Sequence, residues 1–241
     1  MQIQGVAIIN DLKLLSTPEK SVLAQRYFKT GKGQYAEGDI FWGISVPNVR
    51  RVAKKYYDLS VEELDKLLEN EVHEVRLCVL LIMVFQAQNK SQAMFDLYLK
   101  KARFVNNWDL VDLSAPQIVG NFLLGRDCAV LYVLAQSSSL WERRIAIVAT
   151  FAFIKKEISD HTCNLAKVLM NDHHDLIHKA VGWMLREVGK RCSVTILENF
   201  LEEHAARMPR TMLRYAIERL SPGRRWYFMS KKLLTYDFSG R

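Results

Sequence analysis

Apolar residues recur at spacings of three and four positions along most of the chain, which is the pattern of amphipathic helices. The alternation that predicts strands is nearly absent. The clearest helical patterns cover residues 61–86, 140–156, 175–191 and 195–208. The five prolines suit helix starts or turns, and they are Pro18, Pro47, Pro116, Pro209 and Pro222. The pattern therefore predicts an all-α protein.

Four of the apolar helices also resemble one another. Each has a basic residue near its start, and these residues are Arg76, Arg144, Lys179 and Arg214. A period in the mid-thirties with two helices per unit is typical of α-solenoids of the HEAT or armadillo kind. We predict one repeat domain over residues 1–241, with repeats at about 15–225, a basic tail at 226–241 and a basic concave face. A helical bundle without repeat order is the alternative.

The chain has a formal net charge of +8, and its distribution is uneven. Between Arg207 and Lys232 there are eight basic residues and one acid, Glu218, whereas residues 58–74 contain seven acids and one lysine. One positive end or face favours a polyanionic partner such as nucleic acid. A solvated basic tail is the simpler interpretation of the same charges.

Several functional classes are disfavoured by the sequence. The longest apolar runs, 77–85 and 145–154, are too short to span a membrane, and the N-terminal residues do not resemble a signal peptide. We therefore expect a cytoplasmic protein. No two cysteines have the spacing of a zinc or redox site, so we expect reduced thiols at Cys78, Cys128, Cys163 and Cys192.

Two further segments are candidate ligand sites. Residues 29–43 contain four glycines but no Walker phosphate motif, and we interpret them as a long flexible loop between helices. His174 and His178 are spaced to share a metal on one helix face, but no third ligand is evident. We expect instead that Asp172 caps a helix that starts here, and we predict no metal site.

The stretch NNWDLVDLSA, residues 106–115, is the strongest candidate for chemistry. Asn107 can cap a helix that begins at Trp108, and Asp109 suits the first turn because the helix dipole favours negative charge there. Asp112 lies too deep to cap and faces the same way as Trp108. A buried carboxylate at this position needs a cationic partner. If the repeats stack in order, Arg144 and Trp183 converge with this pair on the concave face.

With these residues in view, the sequence resembles the AlkD-type family of alkylpurine DNA glycosylases, which are helical-repeat DNA alkylation repair enzymes. The resemblance is carried by RYFKTG at 26–31, FWGISVPNVRR at 41–51, NNWDLVDLSA at 106–115, LWERRIAI at 140–147 and HKAVGWMLRE at 178–187, and more loosely by MLRYAIERL at 212–220. The stretches run in order along nearly the whole chain. Two departures are Asn107, where some members have a second tryptophan, and a longer glycine-rich loop at 31–38.

The resemblance implies roles for individual residues. Trp108 and Trp183 would be the aromatic pair that packs on the lesion nucleotide, Asp112 the catalytic carboxylate and Arg144 the arginine beside it. An aromatic residue at the entrance facing the DNA would be Tyr27. The remaining predicted DNA-binding residues are basic, and they are Arg76, Lys179, Arg186, Lys190, Arg210 and Arg214.

The implied activity is release of cationic N3- or N7-alkylated purines from double-stranded DNA by a monofunctional glycosylase without cofactor or metal. By default we expect a monomer. An ionised Asp112 can stabilise the positive deoxyribose that forms as the base departs. Two alternatives remain open. One is a non-catalytic helical-repeat protein that binds distorted or branched DNA, and the other is a scaffold for protein interactions.

Overall fold

The computed structural model describes residues 3–231, and these residues are helical apart from turns, loops and one isolated parallel bridge between Ile40 and Val72. The all-α prediction is confirmed. By its contacts, the chain divides into two compact units, Met1–Asp127 and Cys128–Arg241. The end of the predicted basic tail, residues 232–241, lies outside the described residues, whereas residues 226–230 belong to the last helix.

The first unit contains eight α-helices among its described residues. They are α1 (Ile3–Lys13), α2 (Pro18–Tyr27), α3 (Val46–Lys55), α4 (Val61–Leu67), α5 (His73–Gln86), α6 (Ser91–Lys100), α7 (Trp108–Ala115) and α8 (Asn121–Leu123). A 3-10 turn, Ala102–Phe104, precedes α7, and a π-helical turn, Pro116–Gly120, follows it. Pro18 and Pro47 stand in the first turns of α2 and α3, where the missing N–H group has no helical partner, whereas Pro116 continues directly from α7 into the π-helical turn.

The second unit also contains eight α-helices among its described residues. They are α9 (Ala129–Ala135), α10 (Leu140–Ala149), α11 (Phe151–Ile154), α12 (Asp160–Val168), α13 (Asp175–Arg191), α14 (Val194–His204), α15 (Arg210–Ile217) and α16 (Pro222–Ser230). The apolar pattern at 175–191 predicts the bounds of α13, and the paired helices are consistent with the α-helical repeats expected from the sequence.

The continuous apolar pattern at 61–86 forms two helices, α4 and α5, rather than one. The chain turns between them because Asn70 accepts a hydrogen bond from the Val72 N–H group through its side chain. The carbonyl oxygens of Asn70 and Glu71 accept hydrogen bonds from the Arg76 guanidinium. Apolar spacing does not reveal such a break, since both helices bury the same kind of face.

The core of the first unit is built around α5. Almost every side chain of α5 is buried, because α1, α3, α4 and α7 pack around it. A helix that is covered on all sides also buries its polar residues, and on α5 these include His73, Glu74 and Arg76. Each such residue needs a hydrogen-bonding or charged partner inside the unit.

The core of the second unit centres on α13, which packs against α10, α14 and α15. Gly182 allows the closest approach between α13 and α15. A Cβ atom on Gly182 would lie 2.4 Å from the carbonyl oxygen of Met212 and 2.5 Å from Cβ of Tyr215. Only glycine fits this backbone-to-backbone contact.

None of the four cysteines forms a disulfide within residues 3–231, and Cys78 and Cys128 are buried while Cys163 and Cys192 are half-buried. Burial raises the pKa of Cys78 to about 12. Burial likewise raises the pKa of Cys163 to about 11. Among the described residues, no helix has both the length and the hydropathy of a membrane span.

Candidate active site

Helix α7 presents the first two predicted catalytic residues. It begins at Trp108, and Asn107 caps it because the Asn107 Oδ1 atom accepts a hydrogen bond from the Trp108 N–H group at 2.8 Å. The predicted start and cap of this helix are confirmed. Asp112 follows one turn later on α7 and is half-buried, as is Trp108.

The indole of Trp108 contacts two aromatic rings from the end of α2. It stacks on Phe28, with the ring centroids 5.2 Å apart and the planes inclined by 22°. Tyr27 meets it edge-on at 5.9 Å and 73°. Tyr27 is 66 % exposed, so its ring stands at the surface beside the half-buried indole. The structure therefore brings together Tyr27 and Trp108, which the family resemblance implies are neighbours in function.

Asp112 lies close to buried polar groups inside the first unit. The hydroxyl groups of Tyr98 and Ser114 form a hydrogen bond of 2.9 Å. Burial, reinforced by the negative charge of Asp112, raises the pKa of the Tyr98 phenol, although the bond to Ser114 acts in the opposite direction. The Tyr98 phenol therefore stays neutral, and Asp112 is the acidic side chain next to it on α7.

Asp109 has a different role from the one its position suggests. The Asp109 side chain does meet the helix start, since Oδ1 accepts a hydrogen bond from the Leu110 N–H group at 2.9 Å. Its second oxygen, however, faces inward and lies 2.8 Å from Nε2 of His73 on α5. The interpretation of Asp109 as a residue of the helix dipole alone is incomplete, because it also bonds α7 to α5.

His73 and Asp109 belong to a buried charge cluster together with Asp39 and Arg76. The Arg76 guanidinium donates to Asp39 at 2.8 Å, and Nδ1 of His73 lies 3.6 Å from the other Asp39 oxygen. Burial disfavours the imidazolium, but the charge and hydrogen bond of Asp109 outweigh it and raise the pKa of His73. Burial also opposes ionisation of Asp39, but His73 and Arg76 outweigh it and lower the pKa of that carboxyl.

Two rings, those of Phe41 and Phe28, connect this cluster to Trp108. Phe41 stacks on His73 at 4.3 Å and on Phe28 at 4.9 Å, and Phe28 in turn stacks on Trp108. We call Phe28, Phe41, His73 and Trp108 the ring cluster. A cavity of about 190 Å³ lies beside it, and its lining includes Lys20, Phe28, Phe41, His73, Glu74 and Asp109.

The glycine-rich segment is hydrogen-bonded to two buried residues of α5. The Glu74 carboxylate accepts hydrogen bonds from the backbone N–H groups of Trp42, Gly43 and Ile44. The Arg76 guanidinium binds Asp39 in the same segment. Positive φ angles at Gly33, Gly38 and Gly43 permit the turns. The predicted loop between helices is confirmed, and its second half is bonded to α5 and carries Phe41 into the core.

The second unit carries the other two predicted catalytic residues. Arg144 on α10 is buried, and its guanidinium donates to the carbonyl oxygen of Leu176 at 2.6 Å, at the start of α13. Trp183 on α13 is half-buried and lies 6.0 Å from the Phe151 ring. The four residues thus divide evenly between the units, and their convergence on one face stays a prediction.

The predicted DNA-contacting cations have different surroundings. Arg76 is 3 % exposed, and its guanidinium donates hydrogen bonds to Asp39 and to two backbone carbonyl oxygens. We therefore no longer propose Arg76 as a DNA-binding residue. Arg186 binds Glu218, and Lys179 binds Asp175 at 2.7 Å. Lys190 and Arg214 are exposed.

The basic C-terminal segment is partly neutralised by acids that lie outside it. Arg210 is exposed and donates to the Met229 carbonyl oxygen at 2.6 Å. Arg224 binds Glu198 at 2.8 Å, and Lys231 binds Glu202. Charge counted along the sequence therefore overstates the number of cations available to a polyanion.

The histidine-rich segment before α13 is structural. The prediction that Asp172 caps this helix is wrong, because His174 is the N-cap and accepts a hydrogen bond from the Leu176 N–H group. Asp172 instead binds Arg143 at 2.6 Å, and His178 bonds to the Asp172 carbonyl oxygen. Among residues 3–231, no cluster of three or more His, Cys, Asp or Glu side chains is placed to hold a metal ion.

Comparison with known proteins agrees with the helical architecture. Paired helices without strands among the described residues place the chain in the class of all-α helical proteins. The chain belongs to the DNA alkylation repair enzyme family, whose sequence model matches residues 8–220.

A solved structure has the same fold. It is described as a predicted DNA alkylation repair enzyme from Enterococcus faecalis, and it aligns with a TM-score of 0.72 over 86 % of this chain and 97 % of that chain. The sequence identity is 17 %, so the likeness concerns the fold alone. No curated protein sequence matches this chain significantly.

Proposed function

We propose that this protein is a DNA glycosylase that hydrolyses the N-glycosidic bond of cationic N3- or N7-alkylated purines in duplex DNA. The observation that carries the proposal is the arrangement on α7, where a half-buried carboxylate, Asp112, follows one turn after a half-buried indole, Trp108. Membership of a DNA alkylation repair family supports DNA as the substrate.

The chemistry suits a single carboxylate. An N3- or N7-alkylated purine is already cationic, so it leaves as a neutral base and needs little acid catalysis. The deoxyribose becomes positive as the bond breaks, and an ionised Asp112 stabilises that charge and orients the attacking water. The neighbouring Tyr98 has a raised pKa and stays protonated at neutral pH, so it does not supply a negative charge to the site.

The aromatic residues supply binding rather than bond cleavage. The face of Trp108 attracts a cationic nucleotide by a cation–π interaction of about 0.5–2 kcal/mol. The exposed ring of Tyr27, edge-on to that indole, is available for stacking or for contact with the sugar-phosphate backbone. In this proposal Trp183 supplies the second indole. Arg144 is nearly as buried as Arg76 and its guanidinium donates to the Leu176 carbonyl oxygen, so the phosphate contact expected of it is not part of the proposal.

The decisive experiment measures release of 7-methylguanine from an alkylated duplex under single-turnover conditions. Asp112→Asn is nearly isosteric but removes the charge, and we expect the rate to fall by about 10²-fold or more. The matched control is Asp58→Asn, which changes an exposed carboxylate of the same unit and should leave the rate unchanged. Equal release by wild type and Asp112→Asn would refute the catalytic role.

A second candidate function, DNA binding without catalysis, is favoured by the exposed cations Lys190 and Arg214. It predicts salt-sensitive binding of branched or distorted duplex, no free base from any alkylated substrate, and no effect of Asp112→Asn on affinity. The base-release assay and a binding titration on the same preparation separate the two functions.

A further inference from the structure

His73 is a buried titratable residue that the proposed reaction does not use. It is the first residue of α5, it is 2 % exposed, and its backbone N–H group donates to the Ile40 carbonyl oxygen at 2.8 Å. Its imidazole reaches two other parts of the first unit, since Nε2 bonds to Asp109 on α7 and Nδ1 faces Asp39 of the glycine-rich segment.

The charges of the buried cluster balance when His73 is protonated. Asp39 and Asp109 supply two negative charges, and Arg76 supplies one positive charge. A neutral imidazole would leave one uncompensated negative charge in the core, which is strongly unfavourable. The raised pKa of His73 agrees with this balance.

Two further charged groups line the cavity beside His73. The carboxylate of Glu74, next to it on α5, is bound by three backbone N–H groups. Lys20 of α2 lies on the lining of the same cavity. Together with Asp39, Arg76 and Asp109, these are the titratable and charged groups that the described elements bring to this imidazole and its cavity.

His73 is connected to Trp108 in two independent ways. The first is the hydrogen bond to Asp109, the residue that directly follows Trp108 at the start of α7. The second is packing, because His73 lies 4.3 Å from the Phe41 ring and 5.3 Å from the Phe28 ring, and Phe28 stacks on the indole. Both connections act on the same turn of the same helix.

We propose that His73 is a positioning residue for the candidate active site: its imidazolium fixes the first turn of α7 through Asp109 and sets the plane of the Trp108 indole through Phe28 and Phe41. This inference rests on the proposed function for its catalytic consequence. His73 itself does not touch the substrate. A misplaced indole would hold the lesion nucleotide in the wrong orientation while backbone contacts to the duplex persist.

The catalytic consequence is a loss of rate without a loss of DNA affinity. In His73→Gln, which keeps one hydrogen-bond donor but removes the charge and the ring, we expect the single-turnover rate of 7-methylguanine release to fall about 10- to 100-fold, as is typical of misplaced groups. The dissociation constant for undamaged duplex should change by less than about twofold, since phosphate contacts dominate that affinity.

The structural consequence is measured directly at Trp108. The chain has five tryptophans, and the indole N–H resonance of Trp108 is assigned in ¹H–¹⁵N spectra by comparison with Trp108→Phe. We expect His73→Gln and Asp109→Asn to shift the Trp108 resonance and to leave those of Trp141 and Trp226 in place. The control is His161→Gln, which removes a half-buried imidazole bonded to Tyr132 in the other unit and should not move the Trp108 resonance.

The wild type provides a test that does not depend on the variants folding. In ¹⁵N spectra of the side chains, His73 should be doubly protonated at pH 7, because the charges of the buried cluster then balance. The Trp108 resonance should shift together with the His73 signals as the pH is raised through the folded-state pKa of His73. A neutral His73 at pH 7, or a Trp108 resonance indifferent to His73 in wild type or in a folded variant, would overturn the proposal. Absence of base release by wild type would refute the proposed function only, since the indole measurements still decide the positioning role.

Discussion

The Glu74 carboxylate lies 3.0 Å from the backbone nitrogen of Trp42, and it accepts hydrogen bonds from three consecutive N–H groups of residues 42–44. One buried side chain of α5 thereby fixes the end of the glycine-rich segment. The same segment carries Phe41 into the ring cluster and Asp39 into the buried charge cluster. The geometry around Trp108 therefore depends on a carboxylate that does not contact the indole.

Glu74→Ala should destabilise the first unit because three buried N–H groups lose their acceptor. Hydrogen bonds to a charged group contribute about 1.5–3 kcal/mol each, and they are not additive here, so we expect a loss of about 3 kcal/mol. Urea unfolding monitored by circular dichroism measures it. Glu71→Ala removes an exposed carboxylate three residues earlier and should change stability by less than about 0.5 kcal/mol. Equal stability of the two variants would contradict this account of the segment.

Gly182→Ala should destabilise the second unit. The added Cβ atom would meet the backbone of Met212, which cannot move aside as a flexible side chain can. Overpacking of this kind costs about 1–3 kcal/mol, and thermal unfolding measures it. Gly223→Ala is the matched control, since a Cβ atom there has no neighbour within 4 Å. It should leave stability unchanged or raise it slightly, because alanine is the better helix former.

The buried charge cluster makes stability depend on pH in a defined direction. The pKa of His73 is raised, so its contribution is fully present below its ordinary pKa near 6.5 and is lost as the pH rises through the folded-state value. The pKa of Asp39 is lowered, so its contribution is present above about 3.8 and is lost as the pH falls through its folded-state value. The advantage of wild type over His73→Gln in urea unfolding should therefore be larger at pH 6 than at pH 9. A difference that grows with pH would contradict the charge balance.

The exposed cations of the second unit should contribute to DNA binding through phosphate contacts. Lys190→Ala and Arg214→Ala should each weaken binding of any duplex sequence and reduce the slope of log K against log salt by about 1. Fluorescence anisotropy at several salt concentrations measures both quantities. Lys66→Ala, an exposed lysine within the acidic stretch, should leave the slope unchanged. If Lys190→Ala and Arg214→Ala left the slope as unchanged as the control does, the DNA contacts would have to lie elsewhere.

Local chemistry in the sequence predicts the helices and part of the candidate site. The apolar period of 175–191 gives the bounds of α13, and an asparagine before an apolar helix identifies the cap at Asn107. These features depend on neighbours within a few residues. Apolar spacing misses the break between α4 and α5, although the Asn70 side chain that bonds to the Val72 N–H group is a local turn signal.

The buried partners of the site are not predictable from local patterns. His73 and Asp109 are 36 positions apart, and periodicity does not show which carboxylate on α7 faces inward. One indication was available: α5 is so apolar that it must be buried, and polar residues at its start then require partners. That argument identifies His73, Glu74 and Arg76 as residues with partners, but only the structure identifies Asp109, Asp39 and the backbone of residues 42–44.

The burial of Cys78 and Cys163 has a consequence for a member of a DNA alkylation repair family. Electrophiles that methylate DNA bases also attack thiolates, and the thiolate rather than the thiol is the nucleophile. With a pKa of about 12, only about one Cys78 side chain in 10⁵ is ionised at neutral pH, and Cys163 is similarly protonated. Burial thus keeps the thiols of Cys78 and Cys163 protonated and poorly reactive toward alkylating electrophiles.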